Sequence, residues 1–352
     1  MSMQQQTEPR APSFATLARA TKTEIDSALA KLAHVETAKA RALSPDAGVV
    51  IEALFELATR GGKRLRPALV AAAYVACGGE SGSSAVTEAG VALEVLQAYL
   101  LIHDDWMDND DVRRGGPSVH AALRRHFGER ALGDSFAILA GDYAQGLALD
   151  VISRARVPAP RMVAAMRELA SMLTAVVTGQ ILDVRGNAKT PAEVETIHRL
   201  KTSSYTTRSP LALGAILAGA DPAVCEGLRA AGDPMGVAFQ LQDDLLGTFG
   251  DPKKTGKSAR SDLRQGKRTA LVAELSGHDD LLARALGVAD ASDADVDAVL
   301  RLMVDSGAKT RVEARRAALV AEASSKIERL PISSEGKQLL LGAASALAAR
   351  ED

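Results

Sequence analysis

The stretch from Ala85 to Asp108 constrains this chain more than any other. Its apolar residues recur at helical spacing, tighten into the run Val95–Ile102, and end at Asp104, Asp105 and Asp108 in LLIHDDWMDNDDVRRGG. A helix so apolar is buried against other elements, so its terminal acids sit where carboxylates are poorly solvated. Acids at a helix C-terminus also oppose the macrodipole, and a purely structural role there costs stability. Asp104 and Asp108 are four residues apart and Asp105 and Asp108 three apart, so all three project from nearly one face. A second pair, Asp243 and Asp244 in FQLQDDLLGTFGD, ends another apolar helical pattern. Packed acids repel one another, and they make sense mainly as a cradle for divalent cations and for the anion those cations carry. A diphosphate is the natural anion. The competing reading of the first cluster is a solvated helix end, which Asn109, Asp110 and Asp111 would suit; the second cluster counts against it.

The rest of the composition agrees with a helical protein. Apolar residues make up 47% of the chain but aromatics only 3%, and Ala and Leu dominate where Val, Ile and Tyr would dominate a sheet. The 352 residues show no compositional divide, which predicts one domain over 13–352 behind a disordered tail at 1–12. Net charge is −2, without the broad basic field that a nucleic-acid partner needs. Two cysteines, Cys77 and Cys225, lie in apolar surroundings and suit buried thiols in a reducing compartment. MSMQQQTEPRAPS lacks the basic and apolar regions of a secretory signal. The apolar runs at Leu69–Cys77 and Leu211–Ala220 are shorter than the roughly 20 residues that span a bilayer. These features predict a cytoplasmic protein without a membrane span.

Helical spacing predicts helices at about 49–60, 67–77, 85–108, 119–127, 135–153, 160–182, 191–220 with a kink at Pro210, 227–246, 293–304, 310–329 and 336–349. RRGGPS and the Gly- and Lys-rich segment 250–266 read as loops, and no strand is predicted. The architecture expected is an all-α bundle.

Basic residues accompany the acids. Arg113 and Arg114 follow the first cluster, and arginine forks match phosphate oxygens. Lys63, Arg64 and Arg66 stand in GGKRLRP, where glycines let the backbone turn closely around an anion. Each signal alone is weak, since such residues are commonly surface features. Together they form an ordered set: GGKRLRP, Asp-Asp-x-x-Asp followed by RRGGPSVH, AILAGD, Gly179-Gln180 with Asp183, Lys201-Thr202, FQxxDD, and a GK-containing loop. In that order, over about Gly61–Thr269, the chain resembles the trans-isoprenyl diphosphate synthase family.

The resemblance implies a helical isoprenoid synthase bundle with a central substrate cavity, and a short-chain trans-prenyltransferase acting on isopentenyl diphosphate and allylic diphosphates. By position, Asp104, Asp105, Asp108, Asp243 and Asp244 match the aspartates that hold three Mg²⁺ ions on the allylic diphosphate. Arg113 matches the arginine that grips this diphosphate. Lys63, Arg66, Arg114 and Gln97 match the isopentenyl diphosphate site. Lys201, Lys257 and Lys267 match lysines that touch or close over the allylic diphosphate, and Thr202 and Gln240 match residues facing the carbocation. Tyr99 and Leu100, about one turn before Asp104, match the positions that limit product length; one Tyr beside Leu points to a twenty- or fifteen-carbon product, with geranylgeranyl diphosphate favoured over farnesyl. Core packing is the alternative role for Tyr99. Members are commonly homodimers.

In one respect the chain departs from the pattern: Gly247 stands where the second motif usually has a third Asp, with Asp251 close by. A class I terpene cyclase shares the first aspartate-rich helix, but the run from Asp243 lacks the Asn/Asp-x-x-x-Ser-x-x-x-Glu spacing of its second metal site. A non-catalytic regulatory subunit would have eroded acids, and here one of six is lost.

Overall fold

The computed structural model of the chain describes residues 13–250, 261–264, 266–275, 277–288 and 290–348. The expected tail at 1–12, Asp251 and Lys257 lie outside them. Contacts divide the chain into two compact units: residues 1–162, 214–220 and 331–343 form the first, and residues 163–213, 221–330 and 344–352 the second.

Among the described residues, six helices belong wholly to the first unit: α1 (Phe14–Leu43), α2 (Pro45–Thr59), α3 (Leu65–Ala76), α4 (Ser84–Met107), α5 (Val119–Phe127) and α6 (Arg130–Ser153). The long α4 is its centre. Ala89, Ala92, Leu93, Val95, Leu96 and Ile102 on it are fully or almost fully buried, and it packs against α6, where Ala137, Ala140, Ala144 and Ala148 have no exposed surface. Small residues on α6 let the two backbones approach closely, so α4 is enclosed in spite of its length. By length and composition alone α4 and α7 (Ala159–Arg185) are long and apolar enough to cross a membrane, as the core helix of a folded protein also can be. For α4 the apolar stretch is 72% buried inside the fold, as a core helix requires.

Between α4 and α5 the chain forms a minimal hairpin rather than the irregular loop expected. Strands β1 (Val112–Arg113) and β2 (Gly116–Pro117) pair antiparallel, with Val112 opposite Pro117 and Arg113 opposite Gly116. The two turn residues, Arg114 and Gly115, have φ of 51° and 73°. Positive φ at both central positions is the condition for the tight turn whose twist matches a hairpin.

The second unit is built on α10 (Pro222–Phe249). Pro234 lies inside it, and Lys326 donates a hydrogen bond to the Ala230 carbonyl that a proline cannot serve. The helix starts five residues earlier than its periodicity suggests, where the Asp221 side chain accepts the Ala223 N–H and Pro222 opens the first turn. Against α10 packs the segment that follows α8 (Pro191–Ile197): a π-helix over His198–Arg208, continued by α9 (Ser209–Ala218). Pro210, where a kink is expected, directly follows this stretch, and the Ser209 N–H bonds the Ser204 carbonyl five residues back. Gly232 and Gly236 make the close fit possible, since a Cβ on either would lie within 2.6 Å of Arg208 or Ser203 backbone atoms. A core including Val194, Leu241, Leu271, Leu275, Val296, Val299 and Met303 fills this unit. Among the described residues the regular structure is helical apart from the hairpin; Cys225 is buried as expected, whereas Cys77, at the end of α3, is half-buried.

Candidate active site

The C-terminal turn of α4 carries the first aspartate cluster into three environments. Asp105 has no exposed surface, Asp104 is half-buried, and Asp108, the residue that caps the helix, is exposed. Arg113 returns from β1 to Asp105: its Nε donates to Asp105 Oδ1 at 2.7 Å, its terminal nitrogen bonds the same oxygen, and it lies 3.7 Å from Asp110. Burial raises the Asp105 carboxyl to about 6 in spite of Arg113, with Asp104 and Asp110 adding like charge. Burial pulls Arg113 down, but the carboxylates of Asp105, Asp104 and Asp110 outweigh it and hold the guanidinium above its usual range. The second Asp105 oxygen, Oδ2, is buried without a hydrogen-bond partner. A buried carboxylate oxygen left in that state is costly, and a cation would satisfy it.

Two loops of the first unit carry the basic residues. Lys63 is exposed and Arg66 buried at the start of α3. Between them Arg64 takes a left-handed conformation, φ 52°, and its side chain, 1% exposed, bonds Asp26 at 2.8 Å and Glu94 at 2.6 Å. Arg114 heads the hairpin turn with its guanidinium 3.4 Å from the Arg60 carbonyl. Burial lowers Arg114, Arg64, Arg66 and Arg113 lower it further, and Glu94 opposes them. The fold thus gathers like-charged guanidiniums around one buried glutamate, an arrangement that favours an incoming anion. Gln97 is half-buried on α4. Arg60, Arg64, Glu94 and Asp26 were not predicted as site residues; Arg64 alone stood in a motif, and the others pair over sequence separations that periodicity does not register.

Tyr99 is buried and Leu100 half-buried. The Tyr99 ring meets His103 edge to face, centroids 4.9 Å apart, and His103 Nε2 lies 3.1 Å from the Ile138 carbonyl. Gly141 leaves room for that imidazole, since a Cβ there would sit 2.3 Å from Nε2.

In the second unit the predicted residues Thr202, Gln240 and Asp244 form one chain of hydrogen bonds. Thr202 donates its hydroxyl proton to the Gln240 carbonyl at 2.9 Å, and the Gln240 amide donates to Asp244 Oδ1 at 3.0 Å. Asp244 Oδ2 accepts the Ala270 N–H at 3.1 Å and lies 3.5 Å from His198. Asp244 is buried with both oxygens engaged, whereas Asp243 is half-buried. Lys201 pairs with Asp183 at 2.6 Å, and Lys267 is half-buried.

A family model for polyprenyl synthetases matches residues 48–303. The chain belongs to the polyprenyl synthetase family. It is 32% identical to geranylfarnesyl diphosphate synthase of Aeropyrum pernix over 82% of this chain and 90% of that protein. With (2E,6E)-farnesyl diphosphate synthase of Mycobacterium bovis the identity is 35%, over 72% and 71%. The fold matches the crystal structure of geranylgeranyl pyrophosphate synthase from Corynebacterium glutamicum, complexed with isoprenyl diphosphate and magnesium, with a TM-score of 0.86, 29% identity, and coverage of 96% of this chain and all of that one. This chain is a prenyltransferase of that all-α family, in which a divalent metal takes part.

Among the described residues no three Asp, Glu, His or Cys side chains converge closely enough to hold an ion alone. That suits magnesium, which takes one or two carboxylates and completes its shell with water and substrate phosphate. The donor set is all oxygen, and the unpartnered Asp105 Oδ2 fits the same ion.

Proposed function

We propose that this prenyltransferase joins isopentenyl diphosphate to allylic diphosphates and makes geranylgeranyl diphosphate as its main product. The observation that supports the reading best is the end of α4, where Arg113 meets Asp105, with Asp104 and Asp110 within 4.0 Å, and one carboxylate oxygen is buried without a partner. About three magnesium ions, held at Asp104, Asp105 and Asp108 and at Asp243 and Asp244, would supply the charge that stabilises the departing diphosphate.

The chain's own groups have separable tasks in this reading. Lys201, Lys257, Lys267 and Arg113 receive the allylic diphosphate and stabilise the negative charge that develops as its carbon–oxygen bond breaks. Asp244 fixes the Gln240 amide, and Gln240 fixes Thr202, so their oxygen dipoles face the allylic cation in a set orientation. Lys63, Arg66, Arg114 and Gln97 hold isopentenyl diphosphate while its double bond attacks that cation. The proton lost in restoring a double bond passes to the released diphosphate. Tyr99, braced by His103, limits the growing chain. The protein acts as a cytoplasmic homodimer, and the stripe Val177, Ile181 and Val184 on α7, exposed at one helical face, is a surface that a second copy would cover. One synthase domain runs over 13–352 in this reading.

Farnesyl diphosphate is the second reading, favoured by the aromatic ring of Tyr99. Incubation with Mg²⁺, isopentenyl diphosphate and dimethylallyl, geranyl or farnesyl diphosphate in turn, followed by chain-length analysis, tests both. Extension of farnesyl diphosphate by one unit supports the geranylgeranyl assignment, arrest at farnesyl supports the second, and a cyclised hydrocarbon overturns both.

A further inference from the structure

Arg60 ends α2 and precedes the glycines of GGKRLRP, and no motif includes it. Its guanidinium reaches the hairpin: Nη1 donates to the Pro117 carbonyl at 2.8 Å and to the Arg113 carbonyl at 3.1 Å. The hairpin answers in kind, because Arg114 Nη1 lies 3.4 Å from the Arg60 carbonyl. Each of the two basic loops thus holds the backbone of the other through an arginine. Gly116 belongs to the same clasp. A Cβ on it would stand 2.5 Å from the Arg60 guanidinium carbon, so a side chain at this position of β2 would push the guanidinium off the two carbonyls it holds.

We propose that Arg60 is a positioning residue for the isopentenyl diphosphate subsite: it sets the separation between the loop of Lys63 and Arg66 and the turn of Arg114. The inference rests on the assignment of those three residues to that substrate. Arg60 itself is placed to hold backbone, not substrate. The effect of losing it falls unevenly for a structural reason. Arg113 has a second anchor, since its guanidinium is tied to Asp105 at the end of α4. The Lys63 loop is likewise anchored through Arg64 to Asp26 and Glu94. Arg114 sits at a left-handed corner, where a non-glycine residue persists only if its surroundings hold it. Its guanidinium meets the Arg60 carbonyl, and the strands on either side of the turn are held by the Arg60 side chain. Without the clasp, Arg114 relaxes away from its three arginine neighbours, which already push it outward by charge.

The test is steady-state kinetics of the full-length wild type, Arg60→Met, Arg60→Lys and Gly116→Ala, with each substrate varied in turn. Displacement of a binding group by about 1 Å can cost on the order of 100-fold. The expected result is a rise in KM for isopentenyl diphosphate of roughly 10- to 100-fold in Arg60→Met, with KM for the allylic primer and kcat at saturation within about threefold of wild type. Arg60→Lys, which keeps the charge but lacks the reach to both carbonyls, gives an intermediate value. Gly116→Ala, which presses on the guanidinium from the other side, gives the same selective shift, and it decides the question if Arg60→Met does not fold by circular dichroism. Equal rises in both KM values, or an unchanged KM for isopentenyl diphosphate in the folded variants, overturn the positioning role. A wild type that consumes no isopentenyl diphosphate overturns the substrate assignment itself, and that outcome is seen before any variant is measured.

Discussion

Arg113 and Asp105 form the ion pair at the end of α4, with Nε 2.7 Å from Oδ1 and Asp105 wholly buried. Burial outweighs the arginine, and the Asp105 carboxyl is raised from 3.8 to about 6. A raised carboxyl means that the folded chain binds this proton more tightly than the unfolded chain. The stability from this group is therefore complete below about pH 4 and is lost as pH rises through about 6. In metal-free buffer, Asp105→Asn should unfold with a weaker pH dependence in that window. Relative to wild type it should gain on the order of 2 kcal/mol between pH 4 and pH 7. Urea midpoints at both pH values measure this, and parallel pH profiles for the two proteins would contradict it.

Asp104 is half-buried one residue before that pair, and its carboxylate lies 4.0 Å from Arg113. Removing it deletes an oxygen donor from the metal-binding end of α4 without opening the core. Asp104→Ala should lose activity by several orders of magnitude while keeping its helical circular dichroism and its thermal midpoint within a few degrees. Wild-type turnover from this variant would remove the first cluster from the mechanism.

The parts of the site that lay on one periodic element were legible before the structure. The acids of α4 follow from spacing, and Thr202 and Gln240 come from the resemblance alone; the hydrogen bond between them is a tertiary contact that neither spacing nor motif implies. What escaped was created by tertiary contact. Arg60 becomes significant only because the backbone of Arg113 and Pro117 comes within its reach, more than fifty residues later in the chain. The hairpin at 112–117 is too short to show an alternating pattern, and its signal, the Gly-Gly of RRGGPS, suits a loop equally well. Pro234 argues locally for a break in α10, and the Lys326 ammonium that replaces the missing donor comes from a different helix. The π-helical turn at 198–208 is set by glycines on α10 that admit Ser203 and Arg208, and no residue within the turn announces it.

Tyr99 is held edge-on by His103, so product length should respond to either residue and to the glycine behind them. Tyr99→Ala should shift the product toward longer chains in a timed assay. Gly141→Ala forces the imidazole away from the Ile138 carbonyl and leaves the Tyr99 ring unbraced. Overpacking of this kind typically costs about 1–3 kcal/mol. The variant should be less stable than wild type and should give a broader product distribution. If both variants give the wild-type product, Tyr99 serves only as core packing.

Gly179 on α7 lies against the π-helical segment, and a Cβ there would be 2.4 Å from the Lys201 nitrogen and 2.8 Å from its Cα. Those atoms are backbone, so no rotamer change can relieve the clash, and the segment carrying Lys201 and Thr202 must move as a whole. Movement of Thr202 breaks its 2.9 Å bond to Gln240 and frees the amide that Asp244 orients. Gly179→Ala should therefore lower kcat on the order of 100-fold, the usual cost of misplacing positioned groups by about 1 Å. Gly146, also helical, meets nothing within 4 Å of its ideal Cβ, and Gly146→Ala should leave activity unchanged. A mid-helix alanine there should add roughly 0.5–1 kcal/mol of stability. Thermal melts and single-substrate kinetics on the pair separate the two effects: a fall in kcat confined to Gly179→Ala ties turnover to the packing of α7 on the Lys201 segment, whereas equal behaviour of both variants breaks that link.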